Sequence, residues 1–220
     1  MDWPALLWLG LQRRWWRGRA RHPALRRVLS PPVPTGDAMD TRYVAVDLET
    51  TGLSPEADEI ASIGWVAVEQ GCILLETARH YRVRLEKGVG QSAIYHQLTD
   101  SELQQGEPLS TVLPRLLEAI SGSVLIFHNA QLDMGFLNRA CRSLWAAPLP
   151  VPIEDTMQLE LRRLQHRQQC IPAGALRLFQ CRHRYGLPDV AAHDALGDAI
   201  ATAELWLAMK AGEYQKCPAQ

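Results

Sequence analysis

The chain is organised around the segment YVAVDLETTGL, which runs from Tyr43 to Leu53. Up to Leu48 the segment is apolar and rich in valine, which predicts a buried β-strand. Asp47 and Glu49 interrupt this pattern, and because residues two apart on a strand point to the same side, their carboxylates emerge together, about 7 Å apart along the chain. Two such carboxylates repel each other, so we expect either a divalent cation between them or a solvated strand end with a surface ion pair.

Length and composition are those of one globular domain with an extension. The chain has 220 residues, of which 47% are hydrophobic and 21% are charged, as is ordinary for such a domain. Its five cysteines are an odd number without a CxxC pair, which favours a reducing, cytoplasmic location and argues against a disulfide framework or a zinc knuckle.

Charge is distributed unevenly along the chain. Residues 1–39 hold seven arginines and two acids, a net charge of +5, whereas the remainder holds 16 basic and 22 acidic residues, a net charge of −6. A nucleic-acid binder usually has a basic face. In this acidic body, a phosphate substrate would have to be met by bound metal and by local basic groups.

The N-terminal part differs from the rest. We divide the chain into residues 1–39, a basic extension with a linker, residues 40–212, the main domain, and residues 213–220, a tail. The apolar run at the start has only seven residues and precedes the arginines, which excludes an integral membrane segment and a secretion signal. Trp8, Leu11 and Trp15 recur at helical spacing with arginines between them, which predicts an amphipathic basic helix. Three interpretations stay open: packing on the domain or on a protein partner such as a polymerase, contact with a membrane surface, and contact with nucleic acid.

The remaining pattern is a hairpin meander followed by alternating strands and helices. Besides the first strand, we predict strands at residues 60–68, 72–83, 124–127 and, as a short edge strand, 151–153. Helices are predicted at residues 109–120, 131–144, 156–168, 175–185 and 195–211, with an irregular segment at 91–105. This order implies an α/β fold with a mixed sheet flanked by helices, and a site where strand ends meet helix starts.

Three distant residues have the chemistry to join the first two acids. Asp133 begins the helix that follows the strand at 124–127, where compensation of the helix dipole is the simpler explanation. His193 and Asp198 precede and enter the last helix, and five residues on a regular helix separate two side chains by about 140°. His193 must therefore lie on the chain that enters the helix, with Asp194 as its N-cap. Taken singly, His193 could be a solvated histidine and Asp198 an exposed helical acid.

Taken together, these residues predict a metal centre. Four carboxylates can hold two divalent ions about 3.5–4 Å apart, and such a pair clamps the attacking and leaving oxygens of a phosphodiester. Hard oxygen ligands favour Mg²⁺ or Mn²⁺. The ordinary pKa of histidine, about 6.5, suits His193 to deprotonate the attacking water. The four acids are Asp47, Glu49, Asp133 and Asp198.

Three motifs carry a resemblance to a known family. They are VDLETTGL at residues 46–53, HNAQLD at 128–133 and HDALGDA at 193–199. In this order and spacing, the chain resembles the DEDDh group of 3′→5′ exonucleases and is similar to the epsilon proofreading subunit of bacterial replicative DNA polymerase. The resemblance implies a ribonuclease H-like fold with His193 as general base. It implies four metal ligands: Asp47, Glu49, Asp133 and Asp198.

The resemblance also implies contacts with substrate. His96, within the segment IYHQLT at residues 94–99, matches the family histidine that touches the terminal nucleotide. The backbone next to the first motif is expected to approach the terminal sugar, through Thr50, Thr51, Gly52 and Leu53. The chain departs from the family in having Leu132 where phenylalanine is common. It ends at residue 220, without the long tail through which epsilon binds its polymerase, so we do not expect attachment in that manner.

We therefore expect a metal-dependent exonuclease that hydrolyses single-stranded or frayed DNA from the 3′ end and releases nucleoside 5′-monophosphates. One alternative is an exoribonuclease acting on short RNA, because sugar choice depends on contacts to the 2′-OH. A second is a non-catalytic module that docks through residues 1–39. A haloacid-dehalogenase-like phosphatase is disfavoured, because it has aspartate where this chain has Glu49.

Overall fold

The strand that carries the first two acids lies at the centre of one sheet. The computed structural model describes residues 3–35, 39–86, 106–167, 170–190 and 194–214. Within them, five strands form the sheet: β1 (Tyr43–Thr50), β2 (Ile60–Glu69), β3 (Cys72–Arg82), β4 (Val124–Phe127) and β5 (Ile153–Asp155). Their order is β3-β2-β1-β4-β5. The pairs β1–β2 and β2–β3 are antiparallel, whereas β1–β4 and β4–β5 are parallel. The predicted mixed sheet is confirmed.

Seven helices surround this sheet within the described residues. They are α1 (Trp3–Arg19), α2 (Pro23–Val28), α3 (Leu109–Ala119), α4 (Ala130–Trp145), α5 (Thr156–His166), α6 (Leu178–Arg184) and α7 (Ala195–Tyr214). None of these helices is long and apolar enough to cross a bilayer.

Several observed element bounds differ from the predicted ones; the helix predicted at residues 175–185, for example, spans Leu178–Arg184. Two of the differences concern the sheet. β5 begins at Ile153 rather than at residue 151, because Pro152 has no N–H to donate and contributes only its carbonyl, which accepts from the backbone N–H of Leu125 at 2.9 Å. β1 continues beyond Leu48 to Thr50, with a break in its pairing register just before Thr50. Both acids therefore belong to the strand itself.

Alternate residues of β1 belong to two different cores. Val44 and Val46 lie in the core beneath α3 and α4, whereas Tyr43 lies in the core beneath α7. Because side chains alternate between the faces of a strand, Asp47 and Glu49 share the face of Tyr43. The sheet therefore directs both carboxylates to the side where α7 packs.

Helix α7 is anchored by a buried cation. Arg182 of α6 is 1% exposed, and its guanidinium donates to the carbonyl of Ala201 at 2.8 Å and pairs with Glu204 at 2.7 Å. Its third contact is the carbonyl of Pro188 at 2.9 Å. A buried charge held by three acceptors fixes the helix in position, because breaking one contact would leave the charge poorly paired.

The N-terminal extension packs onto the domain. Val28 of α2 lies in the core beneath α3 and α4. The buried guanidinium of Arg13 in α1 donates to the carbonyls of Val28 and Pro31, both at 2.9 Å. The ring of His22 stacks on Trp145 with their centroids 4.5 Å apart. The first two helices are thus tied to the C-terminal end of α4.

The face of α1 that packs is not the predicted one. The helix itself is as predicted, but Trp8, Leu11 and Trp15 are each more than half exposed. The side that packs inward carries Arg13 and Trp16. The interpretation that the Trp8–Leu11–Trp15 stripe packs on the domain is therefore wrong.

Candidate active site

Three of the predicted acids meet between β1 and α7. Asp47 and Glu49 lie on one face of β1, and Asp198 lies in the first turn of α7. Each offers a carboxylate oxygen, and these oxygens lie within 4.8 Å of one another. That spacing allows all three to contact a common cation.

A glycine in β2 allows α7 to come this close. Gly64 pairs with Asp47 across the β1–β2 ladder. A Cβ on Gly64 would lie 2.2 Å from the carbonyl carbon of Ala195 and 2.3 Å from the nitrogen of Leu196. The backbone of the first turn of α7 therefore rests directly on β2, which brings Asp198 to the acids of β1.

The start of α7 is capped as predicted. The Asp194 carboxylate accepts from the backbone N–H of Gly197 at 3.3 Å, as an N-cap residue does. Its other oxygen lies 3.2 Å from Nδ1 of His80 on β3. These two contacts attach the first turn of α7 to the sheet.

Asp133 reaches the same site from the opposite helical layer. It lies in the first turn of α4 and is 6% exposed. Its carboxylate accepts hydrogen bonds from the backbone N–H groups of Leu48 and of Asp133 itself, and its negative charge acts on Asp47. The fold therefore brings all four acids to one end of β1.

The pKa values of these acids are raised. Burial, and then the charges of its acidic neighbours, raise the pKa of Asp47 well above its usual range. Burial and the charges of Asp198 and Asp194 raise the pKa of Glu49 to about 7. Burial raises the pKa of Asp133 to about 7, although its backbone hydrogen bonds oppose this. Such a cluster is fully ionised at neutral pH only when a cation compensates its charge.

The donor set fits a hard divalent cation. Among the described residues, the candidate ligands that meet are all carboxylate oxygens, with neither a cysteine nor a histidine in the group. Oxygen-only sites favour Mg²⁺ and Mn²⁺ over zinc. The residues of this site therefore suit the metals predicted from the sequence.

Asp155 holds the turn from which α4 begins. Its carboxylate accepts from the backbone N–H groups of Asn129 at 3.1 Å and Ala130 at 3.0 Å. The same carboxylate caps α5 through the N–H groups of Met157 and Gln158. Asn129 has φ 82°, a left-handed conformation that asparagine tolerates better than most residues. One carboxylate thus fixes the N-termini of two helices, one of which carries the acid at residue 133.

His128 supports the same turn. Burial lowers its pKa, which favours the neutral ring. Its Nε2 lies 2.8 Å from the carbonyl of Leu176 and its Nδ1 lies 2.8 Å from the hydroxyl of Thr156. A carbonyl only accepts, so the neutral ring carries its proton on Nε2 and donates it to Leu176. The hydroxyl of Thr156 lies within hydrogen-bond distance of both Nδ1 and the carbonyl of Phe127, the latter at 3.0 Å, and its single proton is donated to one of them at a time.

The loop after β1 is fastened at its base and exposed at its tip. The hydroxyl of Thr50 donates to the carbonyl of Gly52 at 2.7 Å, and Thr51 donates its N–H to the carbonyl of Glu59 at 2.9 Å. A Cβ on Gly52 would lie 2.4 Å from Oδ2 of Asp58, so this glycine permits close approach of a side chain from the same loop. Leu53 is 79% exposed.

Two predicted site residues lie outside the described residues. They are His193, the predicted general base, and His96, the predicted contact with the terminal nucleotide. The irregular segment predicted at residues 91–105 is also outside them. The roles assigned to these histidines stay predictions.

Residues 44–206 match the model of the RNase T exonuclease family. The chain belongs to this exonuclease family. The resemblance to DEDD-type 3′→5′ exonucleases, including the epsilon type, is thereby confirmed. All the acids that meet at the end of β1 fall within the matched segment.

Relatives in the family include bacterial polymerases. The PolC-type DNA polymerase III of Thermotoga maritima is 30% identical over 169 residues, which cover 76% of this chain and 12% of that protein. The PolC-type DNA polymerase III of Caldanaerobacter subterraneus is 30% identical over 195 residues, which cover 81% of this chain and 12% of that protein. This chain therefore spans only a small part of the length of these relatives.

Solved exonucleases have the same fold. E. coli Exonuclease I, in complex with a dA16 oligonucleotide, superposes with a TM-score of 0.68 at 16% identity, over 80% of this chain and 42% of that one. Exonuclease X, in complex with 5′ overhanging duplex DNA, superposes with a TM-score of 0.60 at 23% identity, over 79% of this chain and 93% of that one. The ribonuclease H-like fold predicted from the sequence is thus confirmed.

Sequence reasoning missed two residues that shape the site. Gly64 lies in an apolar strand pattern, and nothing nearby marks it as the point where a helix crosses. The contact of Asp155 with the turn before α4 depends on the pairing of β4 with β5, which a local sequence pattern does not indicate. A glycine inside a strand is a known sign of close backbone approach, so the position of Gly64 within a predicted strand was the one signal that the sequence offered for this contact.

Proposed function

We propose that this chain is a metal-dependent 3′→5′ exonuclease that acts on DNA and releases nucleoside 5′-monophosphates. The observation that carries the proposal is the meeting of Asp47, Glu49 and Asp198 within 4.8 Å, with Asp133 close enough to act on Asp47. Family membership supports the same reaction. The complexes of Exonuclease I and Exonuclease X with DNA, and the polymerase names of the relatives, favour DNA as the substrate.

The four carboxylates would hold two divalent cations, Mg²⁺ or Mn²⁺. When bound, such cations supply Lewis acidity toward water and toward the phosphate oxygens. Asp47 is central to this arrangement, because the charges of the three other acids all act on it. Asp133 and Asp198 approach it from opposite helical layers and complete the ligand set.

Groups of the protein would take the proton from the attacking water and position the terminal nucleotide. His193 takes a proton from the attacking water, whose oxygen forms a bond to phosphorus. The bond between phosphorus and the 3′ oxygen of the penultimate nucleotide breaks, and this oxygen takes a proton from solvent. The terminal nucleotide leaves as a 5′-monophosphate. The backbone from Thr50 to Leu53, together with His96, positions its sugar and base.

Digestion of end-labelled oligonucleotides tests the proposal. With Mg²⁺ or Mn²⁺, a 3′-labelled strand should release labelled mononucleotide at once, whereas a 5′-labelled strand should shorten gradually, and chelator should stop both. Asp47→Ala should abolish turnover and leave the fold intact, with Asp40→Ala as the matched control, because Asp40 is exposed and outside the site. Wild-type rates in Asp47→Ala would contradict the assignment.

A competition between deoxyribo- and ribo-oligonucleotides of the same sequence tests the choice of sugar. We expect the DNA strand to be degraded in preference. Preference for the short RNA strand would make the protein an exoribonuclease with the same catalytic groups.

A further inference from the structure

Helix α1 has a second apolar face that points away from the protein. Four of its large apolar side chains are 56–67% exposed: Leu7, Trp8, Leu11 and Trp15. At 100° per residue they fall within an arc of about 100°, opposite the side that packs on the domain. Scattered exposed apolar residues are ordinary, but a continuous stripe of this kind marks a contact surface.

Basic side chains border this stripe. Residues 3–35 contain seven arginines and no acid. Arg13 is buried, Arg26 donates to the carbonyl of Ala20, and Arg27 pairs with Glu118. The other four arginines are exposed at α1 and its C-terminal end: Arg14, Arg17, Arg19 and Arg21.

We infer that this surface, the α1 stripe with its four exposed arginines, binds an anionic lipid bilayer. A helix that lies on a bilayer buries leucine and tryptophan at the boundary between headgroups and acyl chains, while arginine contacts the lipid phosphates. The helix lies on the outside of the domain, so it presents a ridge rather than a groove. A fluid lipid surface accepts a ridge without a complementary cleft.

The distribution of charge favours contact with the bilayer through the N-terminal extension rather than through the domain. The part of the chain before residue 40 carries +5, and the remainder carries −6. An anionic surface therefore attracts the extension and repels the acidic domain.

Contacts of α1 argue against nucleic acid as the occupant. The guanidinium carbon of Arg19 lies 3.3 Å from the ring centroid of Trp15, so one face of this ring is covered and unable to stack on a base. Leu7 and Leu11 have no ring to stack. The extension meets α4 at Trp145, and twelve residues of helix separate Trp145 from Asp133, about 18 Å along the axis. A strand held on α1 would lie far from the catalytic acids.

The net charge argues against a second copy as the occupant. Two copies that met through this surface would bring eight exposed arginines together without a compensating acid on either helix. Like charges at this density oppose association.

Sedimentation with lipid vesicles tests the inference and requires no nuclease activity. The full chain is mixed with vesicles of phosphatidylcholine alone, or of phosphatidylcholine with phosphatidylglycerol, and the bound fraction is measured. We expect binding at least about tenfold tighter to the anionic vesicles, with a large loss at about 1 M NaCl, where charges are screened within a few ångströms. Tryptophan emission should shift to shorter wavelength on binding, because indole leaves water.

A pair of variants locates the surface. Leu11→Glu should weaken binding to anionic vesicles at least about tenfold, because an acid replaces a leucine that the bilayer would bury and is repelled by anionic lipid. Leu75→Glu is the matched control, because Leu75 on β3 is 61% exposed and lies outside the stripe. It should leave binding within about twofold of wild type, as is usual for a surface change away from the contact. Circular dichroism and nuclease rates should be unchanged in both variants.

Several results would overturn the inference. They are no binding to anionic vesicles, equal binding to neutral vesicles, or equal loss in both variants. If Leu11→Glu instead abolished a concentration-dependent dimer or the binding of single-stranded oligonucleotide, without any effect on vesicles, the surface would belong to that other partner.

Discussion

Replacing Gly64 by alanine should move the acid of α7, Asp198, away from the two acids of β1. The new Cβ would lie 2.2 Å from the carbonyl carbon of Ala195, whereas ordinary contact begins at 3.4 Å. Helix α7 must therefore move away from β2 by about 1.2 Å, because both contacts are with its backbone and no side chain can rotate aside. Asp198 moves with the helix, while Asp47 stays on β1.

The size of this movement determines how much metal affinity and activity we expect the variant to lose. Metal-to-ligand distances vary by about 0.2 Å in working sites, so a shift of about 1.2 Å removes Asp198 from a shared ion. A misplacement of about 1 Å in a catalytic group costs on the order of 10²-fold in rate. We expect kcat to fall by about that factor, and the Mn²⁺ concentration needed for half-maximal activity to rise. Overpacking at the contact should also lower the free energy of unfolding by about 1–3 kcal/mol.

The assay is release of mononucleotide from a 3′-labelled oligonucleotide over a titration of Mn²⁺, well below the melting temperature of the variant. Gly10→Ala is the matched control, because nothing lies within 4 Å of the Cβ position at Gly10. A folded Gly64→Ala protein with wild-type kcat and an unchanged Mn²⁺ titration would show that this glycine does not set the position of α7.

Three further predictions concern the other acids. Asp155→Ala should lower kcat at least about tenfold and the free energy of unfolding by about 1–2 kcal/mol, because two helix N-termini lose their acceptor. Nuclease rates and urea unfolding measure the two effects. A loss of stability without any change in kcat would contradict a positioning role for Asp155. Asp133→Asn should stabilise the protein in chelator at about pH 8 by roughly 2–4 kcal/mol, since one pKa unit is worth about 1.4 kcal/mol. The sign follows because a carboxyl whose pKa rises from 3.8 to about 7 on folding favours folding below about pH 4 and loses that contribution as the pH rises through 7; urea unfolding at both pH values should show the gain at the higher pH only. The pKa of about 7 at Glu49 should make the affinity for metal fall as the pH drops below 7, because cations compete with protons for the carboxylates. Calorimetric titration with Mn²⁺ measures this affinity. An affinity independent of pH between about 6 and 8 would contradict the prediction.

The central strand could be predicted because its chemistry is local. Alternation placed Asp47 and Glu49 on one face, and the cost of two unpaired acids in an apolar strand required either a cation or solvent to compensate their charge. Asp133 and Asp198 were found through the spacing of motifs, but only the fold shows that they approach from opposite layers. The role of Gly64 was not predicted, because it depends on contact with Ala195, 131 residues later in the chain.

The N-terminal extension shows that a sequence pattern can predict a helix without predicting which of its faces is buried. Helix α1 has two apolar faces, so periodicity predicts a helix without deciding which face packs on the domain. The buried face includes Arg13, whose charge is compensated by the carbonyls of Val28 and Pro31. A sequence pattern that expects arginine in water assigns that face to solvent. The contacts that reverse the assignment form only after the chain folds.

The order in which the site's residues leave the ribosome determines when the site can form. Asp47 and Glu49 emerge early, whereas Asp198 lies 149 residues after Glu49 on the last described helix. At roughly 5–20 residues per second, synthesis of the intervening chain takes on the order of ten seconds. Throughout this interval the nascent chain lacks Asp198 and cannot bring together the three carboxylates that meet in the folded protein. The candidate metal site therefore forms only after residue 198 has been synthesised.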